Sequence, residues 1–152
     1  MIKELKISHN KPKIYDKCRE VFGVNWDKGI VITYGDTIYC KFIIPDHLEA
    51  HEQTHIGQQK EYGVDKWWDR YLIDKDFRLS QEVEAYRNQV IFLKKYYNRH
   101  QRRIILRKIY KDMATIYGGM CTEKEAKEAV SIVNMTERDY VKAIACVVFK
   151  NE

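Results

Sequence analysis

Residues 51–55 read His51-Glu52-Gln53-Thr54-His55, and this stretch constrains the chain more than any other. On a helix, residues four apart project from one face, so His51 and His55 stand side by side. Two imidazoles so placed can grip one divalent ion, with zinc the usual occupant. Glu52 sits where a carboxylate can draw a proton from metal-bound water. With five His and 12 Glu in 152 residues, a shuffled chain would carry the pattern in roughly one case per hundred. The sequence therefore predicts a small zinc hydrolase acting on peptide bonds. The competing reading is an exposed polar helix whose two His are incidental.

Pro45 precedes Asp46 and Glu49, which predict a capping box and a helix start near His47. From His47 to Lys60 the large apolar side chains are Leu48 and Ile56, so this helix has little apolar surface to bury. Metal binding would supply a reason for burial. His47 lies one more turn back on the same face. Eight residues of helix span about 12 Å, so His47, His51 and His55 cannot all reach one ion, and His47 is assigned to the cap or the outer shell.

A third ligand must come from elsewhere. Leu79, Val83, Tyr86, Val90, Leu93 and Tyr97 recur at alternating steps of four and three, the stripe of a second helix. Glu82 falls about 60° from the centre of that stripe and Glu84 about 140° away, so Glu82 is expected to face inward and Glu84 to face water. Ile91 and Phe92 fall off the stripe, which predicts packing on more than one side.

His51-Glu52-x-x-His55, followed 27 residues later by Glu82-x-x-Ala85, resembles the gluzincin (thermolysin-like) pattern of zinc metallopeptidases. The resemblance covers roughly Ile43 to Gln89 and implies that His51, His55 and Glu82 bind zinc while Glu52 is the general base. The chain departs from the pattern at Tyr86, where the family usually has an Asp that orients a ligand His; a phenol can also hydrogen-bond there. The chain is also similar to short His-Glu-x-x-His proteins encoded by bacteriophages. That likeness would put it in a host cytoplasm or a virion.

At 152 residues the chain has the length of one domain (1–152), and 45% hydrophobic content with two Pro and seven Gly fits a folded one. Met1–Lys6 alternates charge with apolar residues, unlike a signal peptide, and no apolar run reaches spanning length, so a cytoplasmic protein without membrane segments is expected. Cys18, Cys40, Cys121 and Cys146 are widely spaced and read as reduced thiols. Between Ala85 and Lys111 nine Lys or Arg occur without an acid, although the whole chain carries only +5. Such a region can attract nucleic acid or an acidic partner, but the interleaved Ile104, Ile105, Leu106, Ile109 and Tyr110 favour a solvated helix face.

Along the chain, Ile2–Ile7 is a candidate strand, and Asn10 or Pro12 opens a helix that Gly23 ends. Residues 30–34 and 37–42 flank Gly35-Asp36 and predict a hairpin just before the motif helix. By the zincin resemblance, an extended substrate would lie along a neighbouring strand edge; the residues taken alone fit an ordinary core hairpin at least as well. A short helix carries Trp67 and Trp68, one for the core and one for a cleft wall or further packing, and Asp74–Arg78 reads as a loop. Beyond Asn98 a helix stops at Gly118-Gly119, and Thr122/Glu125 and Thr136/Asp139 cap two more, the last burying Val141, Ile144, Ala145 and Val148.

The expectation is an α+β, predominantly helical, zincin-like minimal domain. Tyr62, Tyr86, Arg78 and His100 are the candidates to stabilise an oxyanion. Two rival readings remain: a structural or assembly protein using zinc as a staple, with His47 or Glu84 as fourth ligand, and a nucleic-acid-binding module using residues 85–111.

Overall fold

The computed structural model describes residues 4–131. Its strands are β1 (Lys6–Ser8), β2 (Val31–Tyr34) and β3 (Thr37–Cys40), in the order β1-β3-β2. The hairpin joining β2 and β3 turns through Gly35-Asp36, as the sequence predicts. Gly35 takes φ 63°, a conformation that costs glycine little. Parallel β1 pairs with β3 on the other side, so β3 is central and β2 is an edge. Ile38 and Cys40 alternate onto one face, where they are fully buried against Ile44, Leu48 and Ile56. The other face places Ile32, Tyr34 and Tyr39 against Ile14, Tyr15, Trp26, Trp67 and Trp68.

Among the described residues six α-helices accompany the sheet: α1 (Tyr15–Phe22), α2 (Asp46–Tyr62), α3 (Val64–Ile73), α4 (Lys75–Tyr96), α5 (Arg99–Thr115) and α6 (Glu123–Ala129). The architecture is α+β and predominantly helical. Gly23 ends α1 in the left-handed region, and Thr122 with Glu125 forms the expected capping box on α6. Asn98 and Gln101 form another on α5. Trp67 and Trp68 are both buried. No helix among the described residues is long and apolar enough to cross a membrane. Cys18, Cys40 and Cys121 are free thiols; Cys146 and the final helix expected after Thr136 lie outside the described residues.

Three local expectations are corrected. The Asp46–Glu49 capping box is not made: Pro45 is the extended cap residue, and Asp46, already helical, accepts a hydrogen bond from the Tyr97 hydroxyl. Asp74–Arg78 is not a loop. Asp74 alone joins α3 to α4, its carboxylate accepting from the Phe77 backbone N–H at 3.0 Å, which makes the polar stretch a cap and first helical turn. Glu84 is half-buried rather than fully in water.

The polar helix α2 is nonetheless interior. Its buried residues are Ala50, His51, Glu52, Thr54, His55, Gln58 and Gln59, and hydrogen bonds rather than apolar area fasten it. Gln59 donates to Thr33 O at 2.8 Å and accepts from Gly35 N–H at 2.7 Å, tying α2 to β2. On the α4 side Asn88 donates to the Thr54 hydroxyl at 2.8 Å, and Gln58 donates to Gln81 O at 3.0 Å. Helix α4 is two-faced. Tyr86, Val90 and Leu93 pack on Ile109 and Met113 of α5 and Ala126 of α6, while Asn88 and Gln89 bond to residues of α2.

Candidate metal centre

Helix α2 presents His51 and His55 one turn apart, and α4 brings Glu82 opposite them. All three are buried, at 3–5% exposure. The two Nε2 atoms stand 3.1 Å apart; Glu82 Oε2 lies 3.2 Å from His51 Nε2, and Glu82 Oε1 lies 3.3 Å from His55 Nε2. Donors of a four-coordinate ion held at about 2.0 Å stand about 3.3 Å apart, so the triangle has the required size. The group could hold a metal ion.

Its electrostatics suit a cation. Burial alone would lower the His55 pKa, but the Glu82 carboxylate outweighs burial and lifts it to about 9. Burial would likewise raise Glu82, yet the imidazoles, His55 foremost, hold its carboxyl far below the usual range. A cation bound here would have to displace the His55 proton. Outside the triangle, the His55 Nδ1 lies 2.8 Å from Gln58 Oε1 and so takes the donor role, leaving the Nε2 lone pair for an ion. Tyr71 donates its hydroxyl to Glu82 Oε1 at 2.6 Å. His51 Nδ1 is buried without a partner. Tyr86, at the position where the gluzincin pattern has its Asp, packs its ring against His51 at 4.3 Å and leaves that nitrogen unbonded.

Glu52 is buried on the sheet side of α2 and accepts a 2.6 Å hydrogen bond from the Thr33 hydroxyl through Oε2. Its Oε1 lies 4.0 Å from His51 Nε2. Glu52 and the three donors line a cavity of about 610 Å³, walled by apolar side chains including Ile32, Phe42, Leu48 and Ile109.

The structure does not bring every candidate residue to this cavity. Tyr86 lines it, and burial foremost, then Glu82, keeps its phenol protonated. Tyr62 lies outside, 42% exposed, accepting from Arg70. Arg78 is buried away from the cavity, donating to Tyr71 O at 2.6 Å with its guanidinium over the Phe22 ring. His100 is exposed at the start of α5. His47 borders the cavity, but its Nδ1 meets Gln89 Nε2 at 2.8 Å; neither it nor Glu84 belongs to the donor group. Of the nine basic residues between 85 and 111, Lys108 lines the cavity.

Tyr117 also reaches the site, and sequence reasoning missed it. It follows α5 with φ 55° and ψ 37°, a left-handed conformation rare for a bulky residue. Its ring meets Phe22 at 4.9 Å and Tyr71 at 5.9 Å. Burial, then the charges of Glu82 and Glu52, push its pKa well above the ordinary value. The one sequence signal was an aromatic residue directly before Gly118-Gly119. Comparison with family models, curated proteins and solved structures finds no match to this chain.

Proposed function

We propose that the chain is a zinc-dependent metallopeptidase of gluzincin type. The observation that carries the reading is the tetrahedral spacing of His51, His55 and Glu82 beside a separate buried carboxylate, Glu52, on one cavity. His51, His55 and Glu82 would hold the ion. Zinc bound there supplies Lewis-acid chemistry, acidifying water and polarising a carbonyl. Glu52 takes the proton of the attacking water and passes it to the leaving amine. The protonated hydroxyls of Tyr86 and Tyr117 are the available donors to the developing oxyanion, since the Tyr71 proton is committed to Glu82.

The substrate class follows from the cavity wall. Val31, Ile32 and Thr33 of β2 line it, and β2 is a sheet edge, so an extended peptide can add as a further strand. Among the described residues the donor group has three members and opens on a cavity, which favours catalysis over a structural staple that would close its fourth position with protein.

Metal analysis and peptide turnover test the reading. The purified chain should bind one zinc, and His55→Ala should lose it. Glu52→Gln should keep zinc and lose turnover. Loss of zinc from Glu52→Gln would make that residue structural, and a wild-type chain that binds no zinc would end the proposal.

A further inference from the structure

Thr33 lies on β2, buried at 3% exposure, and its hydroxyl donates to Glu52 Oε2 at 2.6 Å. Among the described residues this is the hydrogen bond that Glu52 receives. A buried carboxylate with no donor is costly and free to rotate; one oxygen held by a hydroxyl fixes where the other points. With Oε2 fixed by Thr33, Oε1 remains to exchange a proton.

The backbone of the same residue is fixed independently. Tyr34 and Thr37 flank a two-residue turn and exchange ladder bonds, so the N–H and C=O of Thr33 point away from β3, out from the edge of the sheet. The C=O is taken by Gln59, fully buried and two turns beyond Glu52 on α2. Strand β2 is therefore fastened to α2 at two points, one of them Glu52. The outward N–H of Thr33 belongs to the edge on which an extended peptide would pair. Strand propensity alone does not ask for a hydroxyl here, since valine serves a half-buried strand equally well.

We propose that Thr33 is a positioning residue for the Glu52 carboxylate, aiming it from the strand that receives the substrate. This rests on the peptidase reading above. Thr33 touches neither the reacting carbonyl nor the ion; it acts through Glu52 on the transfer of the water proton to Oε1 and from there to the leaving amine.

The test compares Thr33→Val, which keeps the shape, with Thr33→Ser, which keeps the hydroxyl, in the full zinc-loaded chain. Thr33→Val should retain one zinc, lose on the order of tenfold to a hundredfold in kcat and keep KM within about twofold; Thr33→Ser should recover most of the rate. A second readout needs no turnover. Acetohydroxamate binds zinc while sharing its proton with an adjacent base, so calorimetry should find it about tenfold weaker on Thr33→Val, with Thr33→Ser like wild type. In a Glu52→Gln background Thr33→Val should have no further effect on that affinity. Equal kcat and hydroxamate affinity in wild type and Thr33→Val would overturn the role of Thr33 alone. So would equal losses in both variants, which would make the loss one of packing. A zinc-loaded wild type that neither cleaves peptides nor binds acetohydroxamate would overturn the peptidase reading and this inference with it.

Discussion

Among the described residues Tyr117 is the one non-glycine residue with positive φ, although glycines at 118 and 119 follow it. Holding an aromatic residue there costs on the order of 1 kcal/mol or more, and such strain survives where the surroundings fix it. Here the Phe22 and Tyr71 rings do so, and the hydroxyl feels the charges of Glu82 and Glu52. If that hydroxyl donates to the oxyanion, Tyr117→Phe should keep the melting temperature and zinc content while kcat falls on the order of a hundredfold. An unchanged kcat would reduce Tyr117 to a packing residue, and the same measurement on Tyr86→Phe would say whether Tyr86 is the donor. The sequence made Glu82 legible because one helical wheel separates it from Glu84. Tyr117 was illegible because its position depends on a backbone turn 35 residues further on, which no periodicity encodes. Arg78 shows the opposite failure: it lies one turn before Glu82, but its long side chain is drawn to Tyr71 O.

At the scale of elements, the seam between β2, α2 and α4 explains how a helix with two large apolar residues becomes interior. Each buried polar side chain of α2 finds a partner across the seam, so the helix needs little apolar area. Gln59→Ala would leave Thr33 O and Gly35 N–H without their partner. The expected loss is about 2 kcal/mol in urea unfolding of the metal-free chain, with the denaturant slope unchanged. A loss well under 1 kcal/mol would mean water replaces the amide. Ala85 is fully buried in α4, on the side that carries Glu82 and Asn88. Ala85→Leu should force α2 and α4 apart and weaken zinc binding as well as stability, by about 1–3 kcal/mol in unfolding. Zinc affinity equal to wild type would show that the donor triangle does not depend on this close approach. The hairpin was readable because Gly35-Asp36 is a local turn signal. The seam was not, because polar residues on one helix give no hint that their partners wait on a strand and on a second helix. Asp74 misled for a related reason: a run of charge at a loop position looks like a helix cap only once the following helix is known to begin at once.

Across the whole molecule, the donor triangle could hold a metal ion where it now holds a proton, and a competition between the two should be recorded in stability. In the metal-free chain the His55 pKa is raised to about 9 from 6.5, so its contribution is complete below about pH 6.5 and lost as pH rises through 9. Glu82 is depressed, so its contribution is present above its ordinary value of 4.5 and lost as the carboxyl is titrated in acid. With chelator present, this pair should therefore stabilise most between about pH 4.5 and 6.5, and the melting temperature should fall toward pH 9. Zinc bound at the triangle would reverse the alkaline side, because an ion needs the His55 lone pair that the proton occupies. Its affinity should strengthen by about tenfold per pH unit approaching 9, and zinc in large excess over its Kd adds about 4 kcal/mol at a thousandfold ratio. Thermal melts from pH 5.5 to 9, with chelator and with zinc, should diverge steadily as pH rises. Parallel curves would mean that no proton leaves the triangle on loading, and the ion would then sit elsewhere. Divergence that persists in Glu52→Gln but vanishes in Glu82→Gln would tie the competition to the three donors and separate it from the neighbouring carboxylate.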